Sequence, residues 1–315
     1  MNERHSGFFR FVNDLSGPAF LEQHWRKRAW CRAPDRDLLD DCLEIIGGPD
    51  VAGLVARSVG ISAYDELKNI LRVHSPELAR YLYERLGVTL YMYLRKPAPS
   101  TKYGGTARQG RRLGARTAPE ADASEVALSE AQRAIGHALG CGDSLYASVF
   151  AVRPPTRGTT LHCDNNENLT VQLRGTKRWR IASTPVVPYC VVAGEWNEER
   201  PFGGRSLSEF EFEEFLMEPG AALYVPRGHL HEVTVVGNDE CLSFNLSVDP
   251  VTWTDEIVAA VRDVALDEEV LRQCPNALDA DLVTGAERAI ERVRGILNAL
   301  DAERLVARVR HRLLS

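Results

Sequence analysis

Apolar residues recur at three- and four-residue spacing in the first part of the chain, which is the spacing of an amphipathic helix. The segments that show it are FLEQHWRKRAW (20–30), PDVAGLVARSV (49–59), SAYDELKNILRV (62–73) and SPELARYLYERL (75–86). Asp50, Ser62 and Ser75 are predicted helix starts, because their side-chain oxygens can cap free amides of a first turn. VTLYMYL (88–94) is the first predicted strand. Residues 1–95 are therefore predicted as a mainly helical region that leads into a strand.

The hydrophobic period changes to two between about Ser144 and Val248, as in strands whose side chains alternate between two faces. The alternating segments are SLYASVFAV (144–152), TTLHCDNNENLTVQLRGTKRWRI (159–181), AALYVPRG (221–228), HLHEVTVV (229–236) and CLSFNLSV (241–248). Short strands split by Gly, Pro and Asn turns are typical of an antiparallel sandwich or barrel. Helical spacing then returns after Pro250. We predict a β core over 131–250 and a C-terminal helical region over 251–315.

A segment without either period lies between the two regions, and we predict it as an inserted loop over 96–130. It is rich in Gly and Arg, with five basic residues and no acid between Lys102 and Arg116. A solvated loop is one interpretation. The other is a lid or docking surface for an acidic partner.

Composition limits the class of protein. A chain of 315 residues with 44% hydrophobic content can bury a full core, and a net charge of −6 argues against bulk nucleic-acid binding. The seven cysteines are scattered and form no CxxC pair, which favours reduced thiols over a disulfide framework. No apolar run approaches the roughly 18 residues of a membrane span. We therefore expect a cytoplasmic protein that does not enter the membrane.

The segment HCD is the first candidate for chemistry. In a strand, His162 and Asp164 point to one face and Cys163 points to the other. A third ligand can come from His229 or His231 at the start of a later strand. Two histidines and one carboxylate, with the other side of the metal open, form the facial triad of non-heme iron(II) oxygenases. Zinc accepts the same ligands, so the triad alone leaves both metals possible.

Lys177 narrows the choice of metal chemistry. Alternation through GTKRWRI places Lys177 on one face with Trp179 and Ile181, which predicts an inward-facing ammonium. A buried ammonium is costly without an anion. A dicarboxylate that chelates the metal at one end and meets Lys177 at the other would supply it. The hydroxyl of Thr159 could bind the same carboxylate.

Three motifs in this order resemble a known family. HCDNNENLTVQLRGTKRWRI, PGAALYVPRGHLHEV and CLSFNLS are similar to the JmjC, or cupin-like, iron(II)/2-oxoglutarate oxygenases, in particular their asparaginyl-hydroxylase and ribosomal-oxygenase branch. The resemblance implies a mainly β double-stranded β-helix (a jelly-roll or cupin barrel) with an N-terminal helical region and a C-terminal helical bundle. It also implies Fe(II), 2-oxoglutarate and O₂ as cofactor and co-substrates.

The resemblance assigns roles to individual residues. His162, Asp164 and His231 become the catalytic metal ligands. His231 is preferred to His229 because the family pattern is Pro-Arg-Gly, then two residues, then the ligand. Lys177 becomes the partner of the distal 2-oxoglutarate carboxylate. Thr159 and Asn245 become further cofactor-binding candidates. His229 is then interpreted as a surface or pocket-rim histidine.

The implied reaction is hydroxylation of an amino-acid side chain in a protein or peptide. The alternatives are a tailoring hydroxylase of a free amino acid, a carrier-bound residue or a ribosomally made peptide, and, from another class, a non-catalytic metal-binding cupin. Ribosomal relatives often carry Asn and Tyr where this chain has Ser148 and Phe150. The resemblance therefore does not decide which substrate is hydroxylated. The family also implies a homodimer formed through the C-terminal helices.

Overall fold

The structure, a computed structural model, describes residues 5–64, 70–95, 123–154, 158–197, 204–273 and 281–314. Contacts within the chain divide it into two compact units, one of which extends to Pro250 while the other includes the residues from Val251 onward. Among the helices described, none combines the length and apolar character that a membrane span needs.

Strands dominate the first unit. They are β1 (Trp30–Arg32), β2 (Gly60–Tyr64), β3 (Ile70–Val73), β4 (Thr89–Arg95), β5 (Leu145–Val152), β6 (Gly158–Cys163), β7 (Glu167–Arg174), β8 (Thr176–Pro185), β9 (Gly194–Glu195), β10 (Phe212–Met217), β11 (Ala222–Val225), β12 (His229–Val236) and β13 (Cys241–Val248). Its helices are α1 (Ser6–Ser16), α2 (Pro18–Gln23), α3 (Arg36–Ile45), α4 (Val51–Arg57), α5 (Pro76–Leu86) and α6 (Ala123–Ala138).

The strands form two antiparallel sheets. The larger has the order β1-β11-β7-β13-β5-β4-β2-β3, and the smaller has the order β10-β8-β12-β6-β9. Strands β5, β7, β11 and β13 thus belong to one sheet, while β6, β8, β10 and β12 belong to the other. The chain alternates between the sheets as it advances, which is the arrangement of a double-stranded β-helix. The predicted fold class is confirmed.

The two faces of the larger sheet have different tasks. On β5, the side chains of Leu145, Ala147 and Val149 pack into the main hydrophobic core, together with residues of α1, α3 and α6. Alternate residues of the same strand, including Tyr146 and Phe150, instead line a cavity. Strand alternation therefore places an apolar layer under the helices and leaves the opposite face for the site.

The N-terminal predictions hold in part. Asp50 and Ser75 cap α4 and α5 as predicted, by accepting hydrogen bonds from backbone amides of the first turn. The helix predicted over 62–73 is wrong, because Gly60–Tyr64 and Ile70–Val73 are paired strands. Ser62 consequently lies within β2 and does not start a helix. The strand predicted as the first is β4, which pairs with both β2 and β5.

The predicted inserted loop over 96–130 lies largely outside the described residues, which resume at Ala123. Residues from Ala123 onward are helical and belong to α6. The reason is that Leu128, Ala131 and Ile135 repeat at helical spacing and are buried against the core.

The second unit contains α7 (Trp253–Ala265), α8 (Glu269–Arg272), α9 (Leu282–Asn298) and α10 (Ala302–Leu314). A capping box begins α7, since Thr252 accepts from the Asp255 amide and the Asp255 carboxylate accepts from the Thr252 amide. Arg308 of α10 joins the helices by donating to Asp263 at 2.8 Å. Helical character after Pro250 agrees with the sequence prediction.

Candidate metal and 2-oxoglutarate site

A cavity of about 420 Å³ opens inside the double-stranded β-helix. Its walls come from both sheets, and its volume falls in the ordinary range for small-molecule sites. The three side chains predicted as metal ligands line it, as do Lys177 and Thr159. Residues far apart in the chain therefore meet at one place in the fold.

His162, Asp164 and His231 form a compact cluster. One ligand atom from each side chain lies within 4.8 Å of the others. The Nε2 atom of His162 is 3.9 Å from one Asp164 carboxylate oxygen, and the Nε2 atom of His231 is 3.7 Å from the other. Strand pairing produces the arrangement, because His162 of β6 is directly opposite His231 of β12. This is the two-histidine, one-carboxylate set predicted from the sequence.

The hydrogen bonds of the two histidines orient their rings. Nδ1 of His162 is 2.7 Å from the Thr160 carbonyl, and Nδ1 of His231 is 3.0 Å from the His229 carbonyl. A carbonyl can only accept, so each Nδ1 carries a proton, and in the neutral form of each ring Nε2 then has a lone pair. Both lone pairs are therefore available to a metal ion. Burial also lowers the pKa of His231 to about 4, which keeps its ring neutral near pH 7.

Asn168 is a site residue that the sequence analysis missed. Its Nδ2 donates to Oδ2 of Asp164 at 2.7 Å, and its own Oδ1 accepts from the Ser247 hydroxyl at 2.5 Å. The Asp164 carbonyl in turn accepts from the Gly228 amide at 2.8 Å, which ties Asp164 to the turn before His231. Such partners hold a ligand carboxylate in place. The sequence signal for Asn168 was the alternation of β7, which places it on the same face of the strand as Thr170.

His229 does not join the cluster, and its interpretation as a surface or rim histidine is wrong. It is buried, and its Nδ1 is 2.8 Å from the Ala182 carbonyl. The pairing of β12 with β8 shifts register between His229 and His231, and of the two only His231 lines the cavity. Burial lowers the pKa of His229, which favours a neutral structural role.

Lys177 lies where its parity predicted. It is 4% exposed, whereas its neighbour Arg178 is exposed. Its Nζ donates to the Ser243 hydroxyl at 2.7 Å and lies 5.8 Å from the centre of the Phe150 ring. No carboxylate of the described residues forms an ion pair with it. Burial lowers the pKa of Lys177 to about 8, because its ammonium is held away from water without an anion beside it.

The two weaker cofactor candidates also face the cavity. The hydroxyl of Thr159 is buried and has no hydrogen-bond partner among the residues that the structure describes. Asn245 is nearly buried, and its Oδ1 accepts from the Thr170 hydroxyl at 2.8 Å. A bound carboxylate would satisfy the Thr159 hydroxyl, which fits its predicted role.

An aromatic wall forms the side of the cavity next to β2, β4 and β5. Its members are Tyr64, Tyr91, Tyr93, Tyr146 and Phe150. Tyr91 contacts both neighbours, with ring centres 4.6 Å from Tyr93 and 4.4 Å from Phe150. Burial raises the pKa of Tyr64 to about 12, so its phenol stays protonated. Ser148, two residues before Phe150 on β5, is fully buried.

The residues present fit both a metal ion and a dicarboxylate. Two neutral histidine nitrogens and one carboxylate match the donor set of a non-heme iron(II) site. The ring of Trp179 stacks on that of His231, with ring centres 5.7 Å apart, and both side chains line the cavity. The unpaired ammonium and the unpartnered hydroxyl then mark a place for an anionic group.

A family model described as "JmjC domain" matches residues 122–255, a range that contains the three clustered side chains and Lys177. This part of the chain is therefore similar to the JmjC domain family.

Individual relatives are named as a demethylase and histidyl-hydroxylase or as ribosomal oxygenases. The bifunctional lysine-specific demethylase and histidyl-hydroxylase NO66 of Drosophila willistoni is 34% identical over 102 residues, which cover 32% of this chain and 13% of the relative. Ribosomal oxygenase 1 of Danio rerio is 28% identical over 165 residues, covering 48% of this chain and 27% of the relative. Ribosomal oxygenase 2 of Mus musculus is 27% identical over 169 residues, with 50% and 34% covered. The chain thus spans about a third or less of the length of these relatives.

Among solved structures, the ribosomal oxygenase YcfD of Escherichia coli in complex with cobalt and 2-oxoglutarate is similar to this chain. The TM-score is 0.46 and the identity is 19%, over 90% of this chain and 66% of that one. A second structure of the same protein has a TM-score of 0.46 and 16% identity, over 88% and 67% of the two chains.

Proposed function

We propose that the chain is an iron(II)- and 2-oxoglutarate-dependent hydroxylase that acts on an amino-acid side chain in a protein or peptide. The overall reaction adds one oxygen atom of O₂ to a C–H bond and the other to 2-oxoglutarate, which leaves as succinate and CO₂. The JmjC domain and the names of the relatives support this class of reaction.

The observation that carries the proposal is Lys177. Neither a non-catalytic metal-binding cupin nor a zinc-dependent isomerase requires a buried ammonium, without a carboxylate partner, in the cavity that holds the candidate metal ligands. The cost of burying this charge is offset when an anion binds beside it. A 2-oxo dicarboxylate meets both requirements, since its oxo acid end chelates a metal and its distal carboxylate reaches a cation.

Each residue has a task in this proposal. His162, Asp164 and His231 would hold iron(II), with Asn168 keeping the Asp164 carboxylate in place. Lys177 would bind the distal carboxylate of 2-oxoglutarate, and Thr159 and Asn245 would add hydrogen bonds. The chemistry that iron supplies when bound is the activation of O₂, with 2-oxoglutarate as the source of electrons. The aromatic wall would exclude bulk water and orient the substrate C–H bond.

A protein or peptide side chain is the substrate class that the relatives favour, because their names describe a histidyl-hydroxylase and ribosomal oxygenases. The cavity is large enough for 2-oxoglutarate together with one side chain, but not for a folded partner. The substrate residue would therefore enter from an exposed segment.

The test has two stages. Protein loaded with iron(II) under nitrogen should develop a weak visible charge-transfer band when 2-oxoglutarate is added, and failure to develop it would exclude the cofactor assignment. Peptides, proteins and metabolites from a knockout and its parent strain are then compared by mass spectrometry for products one oxygen atom heavier. A product confined to free amino acids would replace the protein-substrate proposal with the small-molecule alternative.

Asn168→Ala is expected to lower metal affinity about 10- to 100-fold, because the Asp164 carboxylate loses the amide that orients it. Manganese(II) titration followed by calorimetry measures the change without turnover. Asn13→Ala, on an exposed position of α1, is the matched control and should bind metal as the unaltered chain does. Equal affinities for Asn168→Ala and the control would remove Asn168 from the site.

We infer further that the chain forms a homodimer through its C-terminal helices. Val283, Ile290 and Leu297 are exposed and repeat every seven residues, so they form one apolar stripe on α9. A stripe of this kind can pair with its own copy around a two-fold axis. Light scattering should give twice the mass of one chain, and Val283→Asp with Ile290→Asp should give the monomer mass. The control is Thr284→Asp, which lies off the stripe; a monomer before any substitution contradicts the inference.

We also infer a reducing compartment such as the cytoplasm. The six cysteines that the structure describes are all free thiols, and five of them are buried. Fractionation of cells that express the tagged chain tests this, and recovery from an oxidising compartment would contradict it.

A further inference from the structure

Lys177 is the first member of a chain of hydrogen bonds that extends away from the cavity. Its ammonium donates to the Ser243 hydroxyl at 2.7 Å, and that hydroxyl donates to Oε1 of Gln172 at 2.8 Å. All three side chains are buried, and Lys177 and Ser243 line the cavity. The chain links three strands, β8, β13 and β7, at the inner face of the fold.

Gln172 determines the direction of these bonds. Its Nε2 donates to two backbone carbonyls, those of Arg174 at 2.7 Å and Gly175 at 3.1 Å. Carbonyl oxygens can only accept, so the amide nitrogen of Gln172 must face them and its Oε1 must face Ser243. A flipped amide would point its oxygen at the two carbonyls and lose both of those hydrogen bonds.

This direction decides what Ser243 can do. The single hydroxyl proton of Ser243 is committed to Gln172, so toward the cavity Ser243 only accepts. It accepts from Lys177 and offers no proton to a bound carboxylate. Ser243 therefore uses one of the three ammonium donors, fixes the position of Nζ and leaves two donors for a ligand.

We propose that Gln172 and Ser243 are positioning residues for Lys177, which set the aim of its ammonium and thereby the affinity and selectivity of the site for a 2-oxo dicarboxylate. Gln172 acts at a distance, through Ser243, and a neutral amide is required there. A carboxylate in its place would supply the anion that Lys177 otherwise obtains from the distal end of 2-oxoglutarate. The inference rests on the proposed function and adds to it the residues that select a dicarboxylate.

The experiment compares two ligands on the manganese(II)-loaded full chain by calorimetry. 2-Oxoglutarate has the distal carboxylate, and pyruvate has the same oxo acid end without it. Ser243→Ala is expected to weaken 2-oxoglutarate binding about tenfold, which is the usual effect of losing one hydrogen bond to a charged group. Gln172→Glu should weaken it about a hundredfold, because the new carboxylate competes for Lys177. Pyruvate affinity should change less than about twofold in both variants.

Two controls keep the outcome specific. Ser183→Ala removes a hydroxyl from the same strand as Lys177. Ser183 is half-buried and its hydroxyl donates to the Glu211 carbonyl, away from Lys177, so binding of both ligands should be unchanged. Gln172→Met keeps the length and the neutrality of the side chain but removes the oxygen that accepts from the Ser243 hydroxyl. It should weaken 2-oxoglutarate binding about tenfold, as Ser243→Ala does. If Gln172→Glu fails to fold, Gln172→Met and Ser243→Ala decide the question.

Each remaining outcome has one meaning. Equal affinity for 2-oxoglutarate in the unaltered chain and in the variants overturns the positioning roles. An equal loss for 2-oxoglutarate and pyruvate also overturns them, because it indicates a general distortion of the site. A lack of 2-oxoglutarate binding by the unaltered, metal-loaded chain overturns the proposed function itself.

Discussion

Asp164→Ala is expected to abolish metal binding and, with it, all turnover. Among the described residues, Asp164 is the only carboxylate in the cluster of candidate metal ligands. Both histidine ligands are neutral when they bind a cation. Its removal therefore eliminates the single negative charge among the ligands and leaves two nitrogens. The loss should exceed the roughly 10- to 100-fold that removal of a supporting hydrogen-bond partner costs.

Manganese(II) calorimetry measures the affinity, and release of succinate measures turnover. Asp239→Ala is the matched control, because Asp239 is exposed in the turn between β12 and β13 and lies outside the cluster. The control should bind metal normally. Metal binding by Asp164→Ala within about tenfold of the unaltered chain would contradict the assignment of Asp164 as a ligand.

Lys177→Met is expected to make the protein more stable while it raises the 2-oxoglutarate requirement about a hundredfold or more. Methionine has nearly the same length and shape as the lysine stem but carries no charge to bury. A pKa lowered from 10.5 to about 8 corresponds to about 3 kcal/mol at 1.36 kcal/mol per unit. The lost hydrogen bond to Ser243 offsets about 1 kcal/mol. The net gain in the free energy of unfolding is therefore about 1–3 kcal/mol near pH 7.

The sign of the pH dependence follows from the lowered pKa. Below pH 8 Lys177 is protonated in both the folded and the unfolded chain, so the full cost of burying its charge is present. Between about pH 8 and 10.5 the folded chain has lost this proton while the unfolded chain still binds it, so stability rises with pH. The thiol of Cys241 is the titratable group that faces Lys177, and its charge would raise the lysine pKa. The advantage of Lys177→Met is thus largest below pH 8 and declines toward pH 10.5.

Thermal unfolding at pH 7 and at pH 9.5, without 2-oxoglutarate, tests the stability part for the variant against the unaltered chain. Lys27→Met is the control, because Lys27 is exposed and its substitution should change neither stability nor 2-oxoglutarate binding. Added 2-oxoglutarate should raise the melting temperature of the metal-loaded unaltered chain but not that of Lys177→Met. A less stable Lys177→Met, or one with an unchanged 2-oxoglutarate requirement, would contradict the assignment.

Local patterns predicted the parts of the fold that depend on neighbours in the chain. The alternation in β5, β12 and β13 marked these strands, and the caps Asp50 and Ser75 marked two helix starts. The segment 62–73 was predicted wrongly because its apolar residues suit a helix, whereas its pairing with a distant strand, β4, favours strands. Secondary structure follows the local pattern unless tertiary pairing overrides it.

Local spacing also predicted much of the candidate site. The HCD segment and the inward parity of Lys177 placed those side chains on the faces that line the cavity. Parity could not separate His229 from His231, since residues two apart share a face in a regular strand. The family resemblance selected His231, and the register shift in β12 gives the structural reason.

By itself, then, the sequence determined which residue types were present and which face of each strand they occupied. Tertiary structure alone decided which faces met. Asn168 supports Asp164, five aromatic side chains form one wall, and Gln172 acts on Lys177 through Ser243, because strands far apart in sequence pair within two sheets. Those contacts depend on long-range register, which spacing along a single strand does not encode.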